Sequence, residues 1–149
     1  MAEQVLFQAL MLRRFEDWPR RLAEWETARR ETPFAWGTND CVISAASAVL
    51  AMTGVNPIAD MPSWRTAAEA AAALSPYGGV AGAVSSMFEE VEVPMAHRGD
   101  LVVVPGIFAQ AGDQALAVVL GSLCAAPGRS GLVFTPIRNA LRAWMVARG

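Results

Sequence analysis

The chain is short of the side chains from which catalytic and metal sites are usually built. One histidine and two cysteines stand among its 149 residues. With no Cys-x-x-Cys pair and a single imidazole, it lacks the ligands of a protein-only zinc site, and neither a metal nor a cofactor is expected. Cys41 and Cys124 are too few, and too far apart in sequence, to make a disulfide framework. No apolar run reaches the roughly 18 residues that cross a bilayer, so no membrane span is expected. The net charge of -2 gives no global basic field, so nucleic acid and anionic membrane are not expected partners. Met1-Ala2-Glu3-Gln4 lacks the basic region of a signal peptide, and Arg13-Arg14 follow the apolar stretch rather than precede it. The expected setting is a cytoplasm, as final location or as the place of assembly into something larger.

Apolar side chains, by contrast, are abundant. They make up 54% of the chain against 17% charged, which excludes a disordered tail and favours a compact fold with surface to bury against partners. The length suits one domain with a sizeable core. Residues 1–16 read as an N-terminal arm or helix offering a partner contact, because Val5, Leu6, Phe7, Ala9, Leu10, Met11 and Leu12 are apolar on most faces. Residues 17–149 read as a single α+β domain. Asp17 is placed to cap a helix with Pro19 in its first turn and Leu22, Trp25 and Ala28 on one face. Ser63 is placed to cap another over 64–74, and 80–88 reads as a short helix. The character then changes. Apolar runs at 101–104, 115–120, 122–125 and 132–135, separated by Gly, Pro and Asp, predict antiparallel strands. Residues 142–147 fit a last strand or a short helix. Helices first and strands second is the pattern of helices packed on one side of a sheet.

Trp36-Gly37-Thr38-Asn39-Asp40-Cys41 is the most informative stretch. Asp40 is a good N-cap, and the apolar helical pattern that follows ends at Gly54. Cys41 is therefore expected in the first turn, where free N–H groups and the helix dipole stabilise a thiolate and lower its pKa.

Phe34-x-Trp36-Gly37-x-x-Asp40-Cys41 resembles the Trp/Tyr-Gly-x-x-Asp-Cys stretch of the NlpC-type papain-like cysteine peptidases. Met52-Thr53-Gly54 resembles the end of that family's nucleophile helix. Arg98-Gly99-Asp100-Leu101-Val102 resembles its Gly-Asp-Leu turn into the first core strand, and 116–121 its next strand, which ends in Gly. The resemblance covers about 17–146 and looks closest to a small phage-encoded branch found among tail genes. It implies a papain-like α+β fold with Cys41 at the nucleophile position. The family's general base is a His at the start of the second core strand. Counting back from Gly121, that position falls on Ala115, with Gln114 beside it, and neither accepts a proton at neutral pH. The third polar residue of the family falls near 123–126, where only Cys124 is unusual. One member of three aligns, and Cys–His activation is lost.

The expectation is thus a phage virion structural protein of the tail tip or baseplate, made in the host cytoplasm. It would use a catalytically decayed peptidase scaffold for assembly with other tail proteins, or against the bacterial cell wall. The alternative is an active cysteine hydrolase that cleaves peptidoglycan peptide crosslinks as the phage enters the cell, with its base supplied by His97 or a neighbouring chain. Around these, simpler roles are expected. Asp40 caps, Gly99 and Asp100 form a turn, and His97 is a solvated loop residue. Trp36, Trp64 and Trp144 serve as core anchors or interface residues. Arg13, Arg14, Arg20, Arg21, Arg29 and Arg30, interleaved with acids, make a solvated helix face.

Overall fold

The structure is a computed structural model that describes residues 12–106 and 114–147. Among the described residues four α-helices come first: α1 Trp18–Arg29, α2 Cys41–Thr53, α3 Ala67–Leu74 and α4 Val80–Met87. Strands β1 Glu89–Val91, β2 Leu101–Pro105, β3 Gln114–Val119, β4 Leu123–Gly128, β5 Gly131–Pro136 and β6 Arg142–Met145 follow. They form one antiparallel sheet in the order β1-β6-β2-β3-β4-β5. The α+β class and the helices-then-strands order match the expectation, and residues 142–145 resolve as strand.

Helix α2 is the centre of the fold, packed between α1 and strands β3 and β4. Its ends are set by two residues visible in sequence. The Asp40 carboxylate accepts from the Ile43 N–H at 3.0 Å, and Gly54, at φ +79°, donates its N–H to the Leu50 carbonyl at 2.8 Å. Between them Ala45, Ala48, Val49 and Met52 are buried, and the small alanines let the helix lie close to its neighbours.

Strand alternation splits the core in two. Leu101, Val103, Leu116, Val118 and Trp144 join Leu22, Trp25, Val49 and Met52 on the helical side. Val102, Val104, Ala117, Val119 and Ala143 form a second cluster on the opposite face, covered by Val93, Ala96, Ile137 and Ala140. A strand covered on both faces reads as a continuous apolar run, which is why 101–104 has no polar alternation.

The structure corrects several expectations. Helix α3 begins at Ala67, not at Trp64. Thr66 caps it through the Glu69 N–H at 3.1 Å, while Trp64 is held back by its own hydrogen bond to Asp40. Asp17 makes no capping bond to backbone; its carboxylate is taken by the guanidinium groups of Arg20 and Arg21. Ala28 is exposed. The boundary drawn at 16 and 17 falls inside the packed domain. Leu12 is buried in the core, and the Phe15 N–H donates to the Met52 carbonyl at 2.8 Å. Residues 1–11 of the expected arm lie outside the described residues.

Arg14 is the reason for that shift. It is no member of a solvated face. Its guanidinium donates to the Val146 carbonyl (2.8 Å), the Arg98 carbonyl (2.9 Å) and Asp100 Oδ1 (2.9 Å), and it stacks over Trp18. Asp100, fully buried, also accepts from the Val146 N–H at 3.0 Å and the His97 N–H at 2.8 Å. One ion pair therefore joins the start of the domain, the turn before β2 and the end of β6.

Candidate functional site

The loop before α2 is built from its own polar groups. Ala35 and Asn39 form a bridge, with the Asn39 N–H on the Ala35 carbonyl at 2.8 Å. The Asn39 side-chain amide donates to the carbonyls of Thr32 (3.2 Å) and Pro33 (3.0 Å), and its oxygen accepts from Arg29 at 2.7 Å. Gly37 turns the chain at φ +80°; a Cβ there would lie 2.2 Å from the Trp64 carbonyl oxygen. Asp40 then ties the loop together. Besides the cap, it accepts from the Gly37 N–H at 3.0 Å and from the Trp64 indole N–H at 2.7 Å. Three accepted hydrogen bonds on a buried carboxylate give Gly37 and Asp40 a structural account that needs no catalysis. Sequence reasoning did not foresee the hydrogen bonds of Asn39, Trp64 and Arg29, and it placed Arg29 on a solvated face, because their partners are distant or irregular in sequence. Trp36 is 45% exposed and meets Phe34 edge-on at 4.9 Å, so of the tryptophans expected as anchors it alone stands at this rim while Trp64 and Trp144 are buried.

Cys41 is the first residue of α2, as expected, but its surroundings raise the pKa of its thiol rather than lower it. The residue keeps some solvent-exposed surface, yet it packs against both apolar clusters, and those surroundings set its titration. Burial pushes the thiol from an ordinary value of 9.0 up to about 11; a backbone hydrogen bond at Leu116 opposes the rise, and the negative charge of Asp40 adds to it. The sequence-based expectation was a lowered value from the helix dipole. That dipole is worth about half a charge at the helix start, and desolvation outweighs it.

The Leu116 contact brings the start of β3 against Cys41. Alternation gives Leu116 to the cluster under α2 and Ala115 to the opposite one, where Ala115 lies across from Val104. Ala115, the position aligned with the missing base, is thus adjacent in sequence to the residue that meets the sulfur. Its methyl group and the Leu116 side chain are apolar, and Gln114 is exposed. Cys124 is buried, donates weakly to the Thr135 carbonyl at 3.3 Å and has its thiol pushed up by burial to about 11; both cysteines are free.

His97 is at the wrong end of the helix to serve Cys41. It is exposed at the start of a turn closed by the Asp100 N–H on its carbonyl at 2.9 Å. Gly99 turns there at φ +92°, so close to α2 that a Cβ would sit 2.9 Å from Met52 Sδ. Met52 is in the last turn of α2 and Cys41 in the first, about 16 Å apart at 1.5 Å of rise per residue. This overturns His97 of the same chain as the source of a base.

Among the described residues no group of three His, Cys, Asp or Glu side chains could hold a metal, and no helix is long and apolar enough to cross a membrane. A family model described as a domain of unknown function (DUF6950) matches residues 13–146, so the chain belongs to that family. A comparison with curated proteins finds no match.

Proposed function

We propose that this DUF6950 domain is a non-catalytic structural module of a phage tail, at the tip or baseplate, that keeps an NlpC-type peptidase scaffold for assembly. The observation that carries the non-catalytic half is the state of Cys41. Its thiol is protonated at neutral pH, the carboxylate beside it is committed to three hydrogen bonds, and the chain's histidine sits at the far end of the helix. General-base help is worth about 10²–10⁴-fold in rate, and among the described residues no side chain at this thiol supplies it. The tail assignment is supported by the order of the Trp-Gly-x-x-Asp-Cys, Gly-Asp-Leu and strand-ending Gly landmarks. Fold alone does not assign function. The partners on this reading are other tail proteins, with the bacterial cell wall as a contact for the finished particle.

The test is genetic. Particles carrying Cys41→Ala should assemble and infect as the parent does, and particles without the gene should lack a complete tail. Loss of infection in fully assembled Cys41→Ala particles, or release of crosslink peptides from peptidoglycan by the purified chain, would overturn the proposal in favour of the hydrolase.

A further inference from the structure

The outer end of the sheet carries a groove that no step above uses. β1 is the terminal strand of the sheet, paired with β6 only. Register divides its acidic residues between the two faces. Glu90 lies opposite Trp144 on the helical side, where Arg142 holds it through two hydrogen bonds of 2.7 and 2.8 Å. Glu89 lies opposite Met145, on the other face. Glu89, Glu92, Val93, Leu141 and Met145 line a groove of about 720 Å³ that wraps the edge of the strand, and the Glu90–Arg142 pair borders it as well. Leu141 is 52% exposed. Neither Glu89 nor Glu92 forms a salt bridge among the described residues.

Two readings compete. Charged side chains on a short edge strand commonly guard it against indiscriminate pairing. That accounts for Glu89 and Glu90 but not for an apolar floor left open beside them. The volume lies in the roughly 300–1,000 Å³ range of real binding sites, and a buried apolar anchor with a charged rim is the anatomy of a protein interface. Among the described lining residues the one cation, Arg142, is paired with Glu90, which leaves the charges of Glu89 and Glu92 uncompensated there.

We propose that this groove docks a segment of a neighbouring protein that carries arginine or lysine beside a leucine-like side chain. The apolar side chain fills the floor against Leu141 and Met145, and the cations meet Glu89 and Glu92. The proposal rests on the structural-module reading and names the face through which such a module engages its neighbour.

Fluorescence anisotropy on the purified full chain tests it, with two labelled synthetic hexapeptides, one alternating Arg and Leu, the other Glu and Leu. The Arg-Leu peptide should bind about tenfold or more tightly than the Glu-Leu peptide, with affinity falling as salt rises. Glu89→Lys with Glu92→Lys, and separately Leu141→Asp, should each weaken it by about tenfold or more. Glu31→Lys with Asp60→Lys, an equal change of net charge elsewhere on the surface, should change it by less than about twofold. Equal binding of both peptides, or equal loss in the charge control, overturns the proposal. So does self-association of the parent chain that Leu141→Asp abolishes, because the occupant would then be a second copy. Failure here removes the groove alone; failure of the particle experiment removes the structural reading.

Discussion

The thiol of Cys41 decides between scaffold and enzyme, and its reactivity can be worked out in advance. With its titration at about 11 rather than 9.0, the thiolate fraction at pH 7.5 is about 3 in 10⁴, against about 3 in 10² for an ordinary cysteine. A nucleophile activated to 7 or below would be mostly thiolate, so the gap between the two readings exceeds about 10³-fold. Iodoacetamide alkylation, followed by mass spectrometry of the peptide that holds Cys41, measures this directly between pH 6 and pH 11. The rate should rise about tenfold per pH unit up to about pH 10 and begin to flatten only toward 11, with no plateau near neutrality. Stability gives a second readout. The native thiol holds its proton more tightly than the unfolded one, so its contribution is fully present below about pH 9 and is lost as pH rises toward 11. The loss is at most about 2 kcal/mol at pH 11, and Cys41→Ala should flatten that part of the melting profile. A plateau in alkylation at or below pH 7, or stability that climbs between pH 9 and 11 because of Cys41, would refute the argument.

Two further perturbations test the architecture around this thiol. Asp100→Ala leaves the Arg14 guanidinium buried without its carboxylate partner and unpairs the Val146 and His97 N–H groups. The expected cost is about 3–5 kcal/mol, or roughly 6–20 °C in Tm for a chain of this size; a shift below about 2 °C in calorimetry would show that the ion pair holds nothing together. Gly37→Ala demands both a strained φ of +80° and room where the Trp64 carbonyl already lies. It should cost about 2–4 kcal/mol in urea melts, and a urea midpoint equal to the parent's would mean the loop does not press on Trp64.

What was legible in the sequence was what local chemistry determines. Asp40 and Gly54 marked the two ends of α2 because a cap and a left-handed stop act within four residues. The buried strands β2 and β3 showed as apolar runs. What was not legible depends on partners far along the chain. β1, with two glutamates in three residues, has no strand pattern of its own and is extended because β6 pairs with it. Trp64 looked like the start of α3, but its indole is drawn to Asp40, 24 positions away. Arg14 looked like surface until Asp100 supplied a counter-charge from 86 positions away. The landmark spacing located Cys41 at its helix start. It could not weigh dipole against burial, since that balance depends on which apolar side chains surround the sulfur.

The Arg14–Asp100 pair has a topological consequence. It brings residues 14 and 146 to one spot, near the last turn of α2 and remote from Cys41 and Trp36. A module whose incoming and outgoing strands of chain meet at a single pole can be spliced whole into a surface loop of a host protein without prying its ends apart. It can also be cut open elsewhere and rejoined there by a short bridge.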